Sequence, residues 1–321
     1  MCKDTENQDI EWFSMFKIPK ISDSIPNHEA GLGFFYHDKN NRLHESPSHL
    51  NSSDNNPMYN TLQYLYSGNQ NIGYLLFSDQ PPNDTASSSY AHMKGVVIFD
   101  TKKALVIEHS VPNFPESPKT SIYSFPDSGV KYGQSFLCMS FELSSLDSVI
   151  KGLLISRPYV YDYYLPQFAT TSVPSIQQLI SRNWNNVDET ASFNIASGDD
   201  NFSLFVKSKE WNFDIYHDLV APSLKSNLIV ETWCLGPSSN NMPSNCSNYH
   251  VYNAKTLNFD GVIWTRTKDH SKYAIGGRHI CISGTNRQLS QTKRGGGAFC
   301  IEDQSLSKTL LNIFDEIHYC E

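Results

Sequence analysis

The sequence predicts a mixed α/β protein made of two similar sheet-and-helix halves packed about a pseudo-twofold, spanning residues 1–165 and 166–321. Three observations carry this expectation. Apolar runs of strand length recur along the chain, bounded by turn residues. Helix-spaced apolar positions fall between them, as at Leu146, Val149, Ile150 and Leu153. A His-x-Lys pair also occurs twice, at His92/Lys94 and, 178 residues later, at His270/Lys272.

The first pair opens a hairpin. Val96, Val97, Ile98 and Phe99 lead into the turn Asp100-Thr101-Lys102-Lys103, and Leu105, Val106 and Ile107 return to His109. Residues two apart on a strand share a face, so His92 and Lys94 are expected on one surface. Pairing Phe99 with Ala104 would carry the ladder on until His109 lies opposite Lys94. A water-facing sheet has no need of such a group of cations and imidazoles, whereas a phosphate would be held by it. The second pair is followed by Ser283-Gly284-Thr285-Asn286, and Asn286 comes 14 residues after Lys272, much as His109 comes 15 after Lys94.

From the amino terminus, residues 11–20 read as an aromatic-rich strand broken at Pro19, and residues 31–36 as another. A third His-x-Lys follows at His37/Lys39. With no strand after it and the Asn/Ser/His-rich run 40–57 behind it, this copy reads as surface loop. A short helix at 61–66, a strand at 72–77 and a loop at 80–89 lead to the hairpin. Beyond it come a Pro/Ser-rich loop to residue 128, a buried strand at 134–143 and a helix at 144–155. The tyrosine cluster 159–164 reads as packing at a junction. The second half begins with a helix at 175–182 and a hairpin at 193–211, and its core starts within 216–232. Residues 257–265 read as a strand running toward His270. The closing helix is expected to present Leu306, Leu310, Ile313, Phe314 and Ile317 on one face.

No run of about 18 apolar residues indicates a membrane span. The formal charge of −8 is unfavourable for a polyanion ligand, but eleven histidines would carry it to +3 in acid if all were protonated. The seven cysteines show no zinc-ligand spacing, and no carboxylate cluster points to Mg²⁺ or Ca²⁺, so neither metal nor cofactor is expected. An odd count without metal spacing suggests disulfides in an oxidising compartment with one thiol left over. Asn51, Asn83, Asn201 and Asn245 head Asn-x-Ser/Thr triplets expected to be glycosylated. No signal-type apolar region precedes Cys2, and Met1 is expected to stand where a leader was removed.

The paired His-x-Lys pattern resembles the phospholipase D superfamily, and Ser283-Gly284-Thr285-Asn286 is similar to its Gly-x-x-Asn-like turn. The flanks narrow the resemblance. His92-x-Lys94-Gly95, His109-Ser110-Val111-Pro112-x-Phe114-Pro115, Tyr132-Gly133-Gln134-Ser135-Phe136-Leu137-Cys138, Pro243-Ser244-Asn245-Cys246-Ser247, Asp269-His270-Ser271-Lys272 and Arg294-Gly295-Gly296-Gly297-x-x-Cys300 resemble deoxyribonuclease II. So does the opening Trp12-Phe13 with Phe16-Lys17-Ile18-Pro19.

The resemblance implies a phospholipase D-like fold and a lysosomal or secreted endonuclease acting on duplex DNA with little sequence specificity. It also implies disulfides Cys2–Cys138, Cys246–Cys320 and Cys281–Cys300, leaving Cys234 unpaired. The implied chemistry is metal-free hydrolysis at acid pH through a phosphohistidine, giving 3′-phosphate and 5′-hydroxyl ends. Lys94 and Lys272 would neutralise the phosphate, with His92 as nucleophile and His270 as general acid/base, the near symmetry of the two motifs leaving the reverse assignment as the alternative. His109, Asn286, Arg287 and Arg294 would bind phosphate or the DNA backbone. Two departures bear on this. The first-half partner is His109 rather than Asn, and Asp100 falls six residues after Lys94 rather than at the wider superfamily's spacing, which weakens a phospholipid substrate. The non-enzymatic alternative is a secreted DNA-binding relative without turnover.

Overall fold

Residues 1–198, 200–235 and 240–320 are described in the computed structural model, and two sheets organise them. The first sheet runs, in spatial order, Val160–Tyr164, Gly73–Ser78, Lys94–Phe99, Lys103–His109, Gln134–Glu142, Trp12–Lys17, Phe34–Asp38 and His44–Glu45, all antiparallel. The second runs Thr190–Ser197, Asp200–Lys207, Gly296–Glu302, His279–Ser283, Lys272–Gly276, Leu228–Thr232, Val251–Phe259 and Val262–Thr265, with Phe314–His318 also paired to Val251–Phe259. Here the pairing of Leu228–Thr232 with Val251–Phe259 is parallel. Each sheet thus holds a His-x-Lys strand between a hairpin partner and a strand from elsewhere in the chain.

Alternation explains the layering. Val97 and Phe99 point into a core between the sheets, where they meet Leu137, Leu204, Val206, Tyr273, Ile275 and Ile282. The helix Leu146–Ser156 adds Leu146, Val149, Ile150 and Leu153 to the same core, as its spacing required. Val96 and Ile98 face the other way, onto a second cluster closed by the helix Pro57–Tyr66. That helix is opened by Asn56, whose side chain accepts from Met58 N and Tyr59 N. Behind the second sheet, Ile215–Val220 and Ala221–Leu224 cover Val230, Ala274 and Cys281.

The hairpin has the expected register: Phe99 pairs with Ala104 and Gly95 with Glu108, which puts His109 opposite Lys94. The disulfides Cys2–Cys138, Cys246–Cys320 and Cys281–Cys300 form, and Cys234 is a buried free thiol.

Three expectations change. His37 belongs to the strand Phe34–Asp38 and is buried, because that strand pairs with Trp12–Lys17 and turns the ring inward against Trp12. Residues 257–265 are the two arms of a hairpin. Asp260 and Gly261, both at positive φ, form the turn, and Phe259 pairs with Val262. The last helix, Gln304–Leu311, stops before Phe314 and Ile317, which lie on the strand Phe314–His318. Both periods place apolar residues inward, so helical spacing alone did not separate them.

Candidate active site

Both His-x-Lys pairs come to the seam between the sheets. Lys94 begins its strand and pairs with Ser78, so the next residue, Asp79, is brought beside it. The Asp79 carboxylate accepts from Lys94 Nζ, lies 3.8 Å from His92 Nε2 and accepts from Arg294 at 3.1 Å. In the second sheet Thr232 pairs with Lys272, and the following residue is Trp233, whose ring lies 5.3 Å from that of His270. One histidine therefore has a carboxylate at its side, and the other has an indole.

Each histidine is anchored by the opposite sheet. His92 N donates to Gly295 O at 2.9 Å, just before the strand Gly296–Glu302. His270 N donates to Gly133 O at 2.8 Å, just before the strand Gln134–Glu142. The rings follow suit. His92 Nδ1 lies 2.8 Å from Gln291 Oε1, and His270 Nδ1 lies 3.0 Å from Ser110 O. Amide and peptide oxygens only accept, so in these contacts each Nδ1 carries the proton, while His270 Nε2 lies 3.3 Å from Lys272 Nζ and His92 Nε2 lies 3.8 Å from Asp79. Gly295 has no room for a side chain, since a Cβ there would stand 1.9 Å from Ser156 O. The turn through Gly284 is equally tight against His92, whose carbonyl oxygen would be 2.3 Å from a Cβ.

The loops that carry these two carbonyls are held alike. Lys17 Nζ donates to the carbonyls of Ile18, Val130 and Tyr132 at 2.8, 2.6 and 2.8 Å. Lys207 Nζ donates to those of Ser208, Thr292 and Arg294 at 3.4, 2.8 and 2.6 Å. Burial lowers both ammonium groups, Lys17 to about 7 and Lys207 to about 8.

The electrostatics are divided. Burial pushes His92 well down, and Asp79 opposes that push while Lys94 and Arg294 reinforce it. Burial also pushes His270 well down, and the charges around it (Lys272, Lys94 and His92) act in the same direction. Burial alone would raise Asp79, but Lys94, His92 and Arg294 outweigh it and hold the carboxyl well below the usual range. Lys272, buried and near Lys94, is lowered too, and its Nζ donates to His270 O at 2.6 Å. The expected charge swing on eleven histidines is accordingly too large. His92, His109, His270 and His279 are all displaced downward, chiefly by burial.

The remaining sequence candidates fall differently. Arg294 is in the site through Asp79, and also donates to the carbonyls of Ser87 and Tyr90. Asn286 is 5% exposed, in the turn against His92, and its Oδ1 has no partner. His109 lies under Lys94, with Nδ1 accepting from Val111 N and the ring against Phe114, and burial lowers it to about 3. Continuing the Tyr273–Ile282 pair by one step puts Ser283, not Asn286, opposite Lys272, so the matched spacing of His109 and Asn286 reflects hairpins of unequal length. Arg287 does not face the site: its guanidinium is buried and donates to Asp214 at 2.8 Å and Asn253 at 2.7 Å. Sequence reasoning assigned no role to Asp79, Gln291, Ser110 or Gln134, whose Oε1 lies 3.3 Å from His270 Nδ1. Gln134 and Ser110 lay inside the motifs quoted above, and Asp79 becomes visible only once Ser78 is paired with Lys94.

This mixed α/β fold, mostly sheet with some helices, is of the phospholipase D-like class. The family model for Deoxyribonuclease II matches residues 1–320. The chain belongs to the deoxyribonuclease II family and is a deoxyribonuclease, with DNA as its substrate. It is similar to Cell death-related nuclease 6 of Caenorhabditis elegans, 31% identical over 340 residues and covering 99% of this chain and 89% of the relative. Plancitoxin-1 of Acanthaster planci is 33% identical over 337 residues, covering 99% and 92%. Deoxyribonuclease-2-alpha of Rattus norvegicus is 30% identical over 336 residues, covering 99% and 94%.

Proposed function

We propose that the enzyme is a metal-independent acid endonuclease that cuts duplex DNA, with little sequence preference, to 3′-phosphate and 5′-hydroxyl ends through a phosphohistidine. The observation that carries this reading is the crossed anchoring. Each imidazole is fixed through Nδ1 by the other sheet, so two Nε2 atoms and two lysines serve one phosphate. One Nε2 attacks phosphorus and forms the N–P bond as the P–O5′ bond breaks, and the other imidazolium gives its proton to O5′. Water then attacks the phosphohistidine, the N–P bond breaks, and the imidazole that gave its proton takes one from the water. Lys94, Lys272, Arg294 and the amide of Asn286 offset the charge that gathers on the phosphoryl oxygens.

The surroundings of the two rings favour His270 as nucleophile and His92 as general acid, the reverse of the expectation from sequence. A nucleophile must be neutral, and the charges that lower His270 (Lys272, Lys94 and His92) are cationic. An acid must be protonated, and Asp79 favours that form at His92. Both rings stand below their ordinary value before substrate enters, and a bound phosphodiester anion raises them. DNA binding therefore takes up protons and tightens as pH falls.

The residue ranges 1–165 and 166–321 are proposed as the two similar halves. The three disulfides and the triplets at Asn51, Asn83, Asn201 and Asn245 support a glycosylated lysosomal or secreted enzyme. The test is cleavage of duplex plasmid at about pH 5 in EDTA beside His270→Ala. Metal-free cutting that vanishes in the variant is expected, and an intact plasmid with DNA still bound by wild type would overturn the reading in favour of a binding protein. Mass-spectrometric mapping of trapped phosphate is expected on His270, and phosphate on His92 would reverse the two roles.

A further inference from the structure

Beside His92 the seam opens into a cavity of about 100 Å³ whose walls include Arg157, Trp184, Lys209, Lys293, Arg294 and Gly295. Elements of both sheets supply it. Arg157 caps the helix Leu146–Ser156, Lys209 follows the strand Asp200–Lys207, and Lys293 to Gly295 precede the strand Gly296–Glu302. Its base is fixed where Ala91 N donates to Arg157 O at 3.1 Å and His92 N to Gly295 O. Four cations border it on a chain whose net charge is −8, and no carboxylate is among its described lining residues. Arg157 uses one guanidinium nitrogen on Glu210 at 2.8 Å, but its Nε is buried without a partner. Lys209 and Lys293 are exposed and have no ion pair among the described residues. Arg294 joins the cavity to the catalytic site, since the same guanidinium touches Asp79.

We propose that this cavity is a second phosphate subsite, holding the phosphodiester next to the scissile one on the same strand. The proposal rests on the nuclease reading above. The cavity has room for the anionic oxygens of a phosphate. Two exposed ammonium groups without an ion pair, beside two guanidinium groups, form a site short of an acceptor, and a phosphodiester supplies acceptors together with the compensating charge. The scissile phosphate would then be placed by its neighbour, independently of base sequence.

The experiment is a walk of single uncharged methylphosphonate linkages through a short duplex carrying one preferred cut, with wild type and the Lys209→Ala/Lys293→Ala double variant. One linkage flanking the cut is expected to weaken wild-type binding and raise KM roughly tenfold, and to cost the double variant less than about twofold. The slope of log affinity against log salt should be shallower by about 1 in the variant, and Lys209→Arg/Lys293→Arg should restore it. Equal penalties in both proteins at every linkage, or an unchanged salt slope, would overturn the subsite. Fluorescence anisotropy reads the binding penalty whether or not the strand is cut, which separates failure of the subsite from failure of the nuclease reading.

Discussion

Replacing Lys17 by methionine tests how His270 is held. The ammonium donates to three carbonyls on either side of the loop that ends at Gly133, and Gly133 O accepts from His270 N. Two stability effects oppose each other. Holding a lysine whose value has fallen from 10.5 to about 7 costs about 5 kcal/mol relative to an exposed one, and the methionine recovers that. The three carbonyls left without a donor cost about 1–3 kcal/mol each, so the net change is a loss of at most a few kcal/mol. Catalysis has no such compensation. Once the loop relaxes, a displacement of His270 by about 1 Å lowers the rate roughly 100-fold. Metal-free plasmid cleavage at about pH 5 with a urea melt at the same pH is the assay. A kcat down about 100-fold with KM within about twofold is expected, because the groups that bind phosphate are untouched. A folded variant that keeps kcat within about threefold of wild type would refute the reasoning and leave Lys17 a purely structural residue.

Other outcomes follow from the charges at the seam. Asp79→Asn removes the carboxylate that favours a protonated His92, so the alkaline limb of the pH–rate profile should move down by about one pH unit; an unmoved limb would separate Asp79 from the proton transfer. Glu108 and Glu231 are fully buried carboxyls without partners, raised well above 4.5 by burial and, for Glu231, by Asp269 as well. A raised carboxyl binds its proton more tightly folded than unfolded, so its contribution holds in acid and is lost as pH climbs past the unfolded value. Glu108→Gln/Glu231→Gln should therefore melt several degrees above wild type near pH 8 and show little or no such gain near pH 4.5, and equal shifts at both pH values would contradict this.

Local pattern made much of the molecule legible. Alternation around Phe99 and Ala104 set the hairpin register, and helical spacing located Leu146 to Leu153. The two histidines and two lysines announced themselves by repetition. What surrounds them did not, because it is assembled across long sequence separations. Asp79 reaches Lys94 through a strand pair, and Gln291 reaches His92 from 199 residues away. His37 shows the converse failure: its motif is the same in sequence, but its strand neighbours alone bury it. Arg287 looked available until Asp214 and Asn253, both remote in sequence, were seen to occupy it.

None of the three disulfides joins one large sheet to the other: Cys2–Cys138 ties the short ribbon of Cys2–Lys3 and Asp9–Ile10 to the first, Cys281–Cys300 closes within the second, and Cys246–Cys320 joins two segments that flank strands of the second. The exchange of histidine anchors therefore depends on the shared apolar core and on a single covalent tether, the segment between Tyr164 and Thr190. That tether sets the effective concentration of each sheet for the other. An intact chain should keep its two sheets together on dilution. A chain nicked in the tether would become dilution-sensitive, with both catalytic histidines released together and every disulfide still in place.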